Sequence, residues 1–140
     1  SKEQIIGLVA AVDWFMDQDE SAMREDFQKR AELIAAAVEK IPSVETKIFV
    51  PPVANNVPHL LITYDPKQVR ISAKDVKTQL LHGTPSIALN PATGGNAGEL
   101  MEGLPAGDNV IVVGVWMLLP GEDAKVARRL HEVLSKASAA

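Results

Sequence analysis

Hydrophobic and polar positions divide the chain into a helical first third and a strand-rich remainder. In the first 41 residues, apolar side chains recur every three to four positions, which is the spacing of an amphipathic helix. The acidic run 17–21 should break or bend this pattern, giving two helices in series or one long kinked helix that Pro42 ends. We therefore expect a helical connector over residues 1–41. Its apolar positions are Ile5, Leu8, Val9, Val12, Phe15, Met16, Met23, Phe27, Ile34, Val38 and Ile41.

Residues 42–140 carry strand and helix signals in alternation and form the predicted compact domain. Ser72, followed by Asp75, has capping-box spacing and predicts a helix that ends near Gly83. Glu122 and Asp123 suit the positive end of a last helix. The predicted strands are 46–50, 59–64, 69–71, 86–89 and 110–119. The last of these is the longest apolar run of the chain, so it should be the central strand.

This order of elements predicts an α/β protein of the α+β kind. It would contain a small, mostly antiparallel sheet of three to five strands, with helices on one face. Segment 92–109 holds five glycines in 18 residues and shows little periodicity. A mobile surface loop is the simplest interpretation. A cradle of backbone N–H groups for an anion is the alternative.

Composition excludes several classes of function. The chain has no cysteine, which rules out disulfides, a thiol nucleophile and a cysteine metal site. The net charge is −4 and the basic residues are scattered, so we expect no nucleic-acid partner. No apolar run approaches the roughly 18 residues of a membrane span. The start of the chain lacks signal-peptide character. We therefore predict a cytoplasmic protein with no membrane partner.

The residue types that carry chemistry do not form a recognisable catalytic set. His59, His82 and His131 are interpreted as satisfied polar positions without ligand spacing, and we predict no metal site. A calcium loop starting at Asp17 fails because Ala22 stands where glycine is required. The glycines at 94–98 do not have the spacing of a phosphate or dinucleotide motif. The aromatics Trp14 and Trp116 are expected in the core.

Five stretches, taken in their order and spacing, resemble a known family. They are residues 1–7, 57–62, 83–87, 90–94 and 113–123. Together they are similar to the C-terminal small domain of selenocysteine-synthase-like proteins, which are fold-type I pyridoxal-phosphate proteins. The group includes D-glucosaminate-6-phosphate ammonia-lyase-like enzymes. In this family an upstream large domain supplies the cofactor lysine, the acidic partner of the pyridinium and most of the phosphate cup. The resemblance therefore implies pyridoxal phosphate for a full-length parent, but no cofactor-binding or catalytic residue in this chain.

The same resemblance suggests which residues face a substrate. Small domains of the family close over the substrate, often with a basic residue near the segment that corresponds to 83–87. This chain has Ser86, Ala88 and Leu89 there and no arginine. We assign Ser86 and Asn90 as substrate-binding residues.

Two functions follow as hypotheses from the sequence. The first is an isolated C-terminal small domain of a pyridoxal-phosphate lyase or transferase, not catalytic alone. The alternative is a stand-alone protein-interaction or small-ligand-binding module. In either case we expect a homo-oligomer, held through the N-terminal helices over residues 1–27.

Overall fold

Three α-helices and one three-stranded sheet make up the described part of the chain. The structure is a computed structural model that describes the backbone of residues 2–139 and the side chains of residues 20–139. In chain order the elements are α1 (Lys2–Val38), β1 (Glu45–Phe49), β2 (His59–Thr63), α2 (Ala73–Leu81), a 3₁₀ turn (Ala97–Glu99), β3 (Val110–Gly114) and α3 (Glu122–Ala139). The predicted α+β class is confirmed.

The sheet is antiparallel in the order β1-β2-β3, with β2 in the middle. Leu61 of β2 lies opposite Lys47 of β1 and Val112 of β3. The prediction that 110–119 is the central strand is therefore wrong. The strand ends at Gly114, and it lies at one edge of the ladder.

The outer edge of β3 is closed by a turn, and both faces of the strand are covered. The main-chain N–H groups of Asn90 and Gly94 donate to the carbonyls of Val112 and Val110, at 3.0 and 2.8 Å. The buried Thr93 hydroxyl bonds both the N–H and the carbonyl of Val112. These contacts take the place of a fourth strand along the edge, while a hydrophobic cluster on each side of the sheet buries the two faces of β3.

The two faces of the sheet have different covers. On one face, Leu60 and Ile62 join the main core together with residues of all three helices. On the other face, Leu61 and Val112 pack against Ala97 and Leu104, which are buried. Segment 92–109 is therefore a packed cover and not the mobile surface loop that its glycines suggest. The apolar second face of the sheet supplies the reason, since it has to be shielded from water.

Helix α1 is a single helix that continues through residues 17–21, so the predicted alternative of two helices in series is wrong. Phe27, Ile34 and Val38 are buried in the main core as predicted. The predicted apolar stripe also included Met23, which is instead 47% exposed. The predictions for Ile5 to Met16 and for Trp14 concern side chains outside the described residues.

The structure also tests the predicted helix cap, two short predicted strands and the predicted core position of Trp116. Ser72 caps α2 as predicted, its hydroxyl accepting from the N–H of Asp75 at 3.0 Å. Residues 69–71 form no strand, because the N–H of Val69 closes a turn onto the carbonyl of Asp65. Residues 86–89 are extended but unpaired in the sheet. Trp116 is 46% exposed rather than in the core, because the strand has already ended before it.

Candidate functional site

A groove of about 470 Å³ lies at the end of the sheet where β3 stops. One wall is the segment 85–91, and the other is the segment 113–118, which includes the end of β3. The first turn of α3 supplies a third side through Glu122 and Lys125. The groove therefore lies where three separate parts of the chain converge.

The groove opens because its two walls stop pairing. Asn90 is tied to Val112 by the main-chain hydrogen bond described above. Beyond that point no backbone hydrogen bond joins residues 86–89 to residues 113–116 within the described chain. The indole of Trp116 lies beside the end of β3, since a methyl group on Gly114 would stand 3.8 Å from its Cδ1 and Nε1. Apolar side chains line both walls of the groove, including Ile87 and Leu89 on one wall and Trp116 and Leu118 on the other.

The structure brings Ser86 and Asn90 into this same groove, although they are not equally available. The Ser86 hydroxyl donates to the carbonyl of Leu81 at 2.5 Å, so its proton is already used at the end of α2. Asn90 uses its side-chain oxygen to accept from the N–H of Ala92 at 2.9 Å. Its amide nitrogen has no protein acceptor among the described residues. Asn90 therefore keeps a fixed, unused donor, whereas Ser86 offers only its lone pairs.

The sequence did not reveal three further residues of the groove, which are Trp116, Met117 and Lys125. Trp116 and Met117 were part of a predicted strand, and Lys125 was one basic residue among several on a predicted helix. Nothing in their local pattern distinguishes them. They reach the groove only because β3 ends early and α3 starts beside it.

Arg30 of α1 holds the wall formed by residues 115–118. Its Nη1 donates to the carbonyl of Val115 at 3.1 Å and to that of Leu118 at 2.5 Å. Its Nη2 pairs with the carboxylate of Asp26 at 2.5 Å, and its guanidinium lies 5.4 Å from the centre of the Phe27 ring. The position of α1 therefore helps to fix the shape of the groove.

The histidines and acidic residues add no second chemical centre to the described part of the chain. His59 is buried, with Nδ1 2.7 Å from the carbonyl of Val57 and its ring stacked on Phe49 at 5.5 Å. It is a satisfied polar position, as predicted. Among the described residues no group of three or more potential ligands is placed to hold a metal ion. Nor does any helix within them combine the length and the apolar character that crossing a membrane requires.

A Schiff-base lysine for pyridoxal phosphate needs a desolvated, preorganised pocket. The lysines with described side chains are Lys29, Lys40, Lys47, Lys67, Lys74, Lys77, Lys125 and Lys136. Lys77 is half-buried and the others are exposed. The described residues therefore do not fit the cofactor's covalent site.

Comparison with known proteins finds similarity among solved structures. No protein-family model and no curated protein matches the chain. Among solved structures, the chain is similar to D-glucosaminate-6-phosphate ammonia-lyase, with a TM-score of 0.57 and 19% sequence identity. The similarity covers 75% of this chain and 25% of that one, so the chain spans about a quarter of the enzyme's length. At this identity the likeness concerns the fold alone.

Proposed function

We propose that this chain is the small domain of a pyridoxal-phosphate-dependent, lyase-like enzyme of the selenocysteine-synthase-like group. In this proposal another domain holds the cofactor, and the groove at the end of β3 forms one wall of the substrate site. The chain alone does not catalyse the reaction. The observation that carries the proposal is the fold likeness to one quarter of D-glucosaminate-6-phosphate ammonia-lyase.

The surroundings of the described lysines support the assignment of the cofactor lysine to another domain. Seven of them are exposed and Lys77 is half-buried, so none lies in the desolvated pocket that a Schiff-base lysine needs. The covalent chemistry is therefore assigned to the other domain. The part assigned to this chain is to contact the substrate and to exclude water from one side of it. The absence of cysteine suits the cytoplasm, which we propose as the compartment.

Exposed apolar side chains at the groove end of the sheet also support the proposal. Val53 is 78% exposed and Met117 is 72% exposed, and Trp116 and Leu119 are also exposed. They lie in the segments that follow β1 and β3, which leave the sheet at the same end. Apolar surface concentrated at one place is typical of a contact with another protein surface. In this proposal the cofactor-carrying domain covers it.

A domain-exchange chimera tests the proposal. The matching quarter of D-glucosaminate-6-phosphate ammonia-lyase is replaced by this chain, and the same enzyme truncated before that quarter is the control. We expect the chimera to keep stoichiometric pyridoxal phosphate through gel filtration and the truncated enzyme to lose it, because the small domain closes the site. A chimera that folds but retains no more cofactor than the truncated enzyme would contradict the proposal.

The chain by itself provides a complementary measurement. It is mixed with pyridoxal phosphate, treated with borohydride and analysed by peptide mass spectrometry. We expect scattered, substoichiometric labelling, because exposed lysines react alike. Stoichiometric labelling of one lysine would mean that the chain carries a cofactor site of its own.

A protein-interaction module is the second candidate function. The exposed apolar side chains at the groove end of the sheet favour it if the chimera fails.

A further inference from the structure

The groove contains donors and a cation that have no protein partner. We propose that it binds the carboxylate or phosphate group of a small organic ligand between Lys125, Asn90 and Trp116. This inference deepens the proposed function, on which the identification of the ligand as a substrate rests. Binding of the anion itself can be measured on the chain alone.

Lys125 supplies the charge. It lies in the first turns of α3 at the edge of the groove, and no carboxylate among the described residues is within 4 Å of its ammonium group. Its acidic neighbour Glu122 is otherwise engaged, since Oε1 accepts from the N–H of Leu119 at 2.7 Å. The ammonium group is therefore available to a ligand.

Asn90 supplies an oriented donor. Its side-chain oxygen is held by the N–H of Ala92, and its own main-chain N–H is bonded to Val112. Two anchors on one residue fix the direction of the remaining NH₂ group. Preorganisation of this kind reduces the entropy lost on binding.

Trp116 supplies a second donor and an apolar surface. Its Nε1 has no protein acceptor among the described residues, and its ring lies beside the end of β3. Arg30 holds the backbone of Val115 and Leu118 on either side of Trp116 and Met117. The apolar part of a ligand would pack on these two side chains, while the anionic group reaches the donors.

The character of these groups selects the ligand class. The groups named here, an ammonium and two N–H groups, are all donors, and a ligand that binds them must offer acceptors in place of water. Hydrogen bonds to a charged acceptor are shorter and stronger than those to a neutral one. A cationic ligand would be repelled by Lys125, and a neutral one would gain no charge-assisted hydrogen bond from it. An anion is therefore the ligand chemistry that satisfies all three groups together.

Nuclear magnetic resonance of the ¹⁵N-labelled full chain tests the proposal. The probes are inorganic phosphate and malonate, with glycerol as the uncharged control, at constant ionic strength. We expect saturable shifts of the Asn90 side-chain NH₂ and the Trp116 indole N–H with both anions and none with glycerol. Stronger binding of phosphate or of malonate would identify the preferred anionic group. Absence of saturable shifts at both residues would overturn the proposal.

Three variants make the test specific. Lys125→Met should weaken binding by about tenfold, the effect of losing one charged hydrogen bond, and Lys125→Arg should largely restore it. Asn90→Asp keeps the oxygen that accepts from Ala92 but replaces the free donor with a repelling oxygen, so it should abolish binding. Each variant's spectrum must remain dispersed as in the wild type, which separates loss of binding from loss of fold.

A matched charge control excludes a general electrostatic effect. Lys136→Met removes one charge from the same helix, 11 residues or about 16 Å beyond Lys125. It should leave the affinity unchanged. Equal weakening by both lysine variants would overturn the proposal, since the anions would then respond to net charge. Failure of the domain-exchange chimera would not affect these measurements, so the two ideas fail separately.

Discussion

At the scale of single residues, Tyr64 shows how one buried hydroxyl depends on its surroundings. It is the only tyrosine of the chain. Its hydroxyl donates to the carbonyl of Ile71 at 2.7 Å, and its own carbonyl accepts from the side-chain amide of Asn109 at 2.8 Å. Burial first, and then the negative charges of Asp108 and Asp75, raise the pKa of Tyr64 above its ordinary value. The folded state therefore favours the neutral phenol.

The pKa shift of Tyr64 predicts how stability changes in alkali. Because the folded pKa lies above the unfolded value of about 10, the contribution is complete below that pH and is lost as pH rises beyond it. Tyr64→Phe should cost about 1 kcal/mol at neutral pH through the lost hydrogen bond. It should also reduce the alkaline loss of stability. Urea unfolding of both proteins across alkaline pH measures this, and parallel alkaline slopes would contradict it.

At the scale of elements, local signals located most helices and strands but not their environments. Ser72 and Asp75 predict the start of α2 because a helix cap is an interaction between residues close in sequence. The early end of β3 at Gly114 had no such signal, because residues 115–119 continue the apolar run. Nor could periodicity distinguish an edge strand from a central one when a distant turn, around Thr93, covers the edge. These features are set by contacts between distant parts of the chain.

The link between α1 and the groove predicts an effect at this scale. Arg30→Met should release the segment 115–118 and lower the free energy of unfolding by about 1.5–3 kcal/mol, the range for hydrogen bonds from a charged group. Arg24→Met is the matched control, since Arg24 is an exposed arginine of the same helix. Hydrogen exchange should become faster in segment 115–118 in the first variant alone. Equal exchange in both variants would show that Arg30 does not hold this wall.

At the scale of the whole molecule, the candidate site could be predicted only in part. Ser86 and Asn90 were chosen from a short stretch of sequence, and they do line one groove. Lys125 and Trp116 come from parts of the chain that meet this stretch only after folding. A sequence pattern reports neighbours along the chain, whereas a binding site is defined by neighbours in space.

Self-association is the remaining prediction for the whole molecule. We expect a dimer or larger assembly at micromolar concentration, held through residues 1–27, because their apolar stripe is wide. Burying an exposed apolar side chain is worth roughly 1.5–3 kcal/mol, so several of them can offset an association cost of about 4–15 kcal/mol. Val12→Asp and Phe15→Ser should each reduce the assembly, as measured by sedimentation. A monomeric wild type, or an assembly that both substitutions leave intact, would contradict the prediction.

The two edges of the sheet differ in whether a further strand could pair with them. The turn around Thr93 seals the β3 side, whereas the backbone hydrogen bonds of β1 go to β2 alone among the described residues. Any further strand, whether from a foreign chain or from an aggregating copy, has to be added beside β1. Glu45 and Lys47 are exposed there, and charged side chains on an edge disfavour such growth. Protection of the sheet against an added strand therefore rests on one short strand and the charges of its two exposed residues.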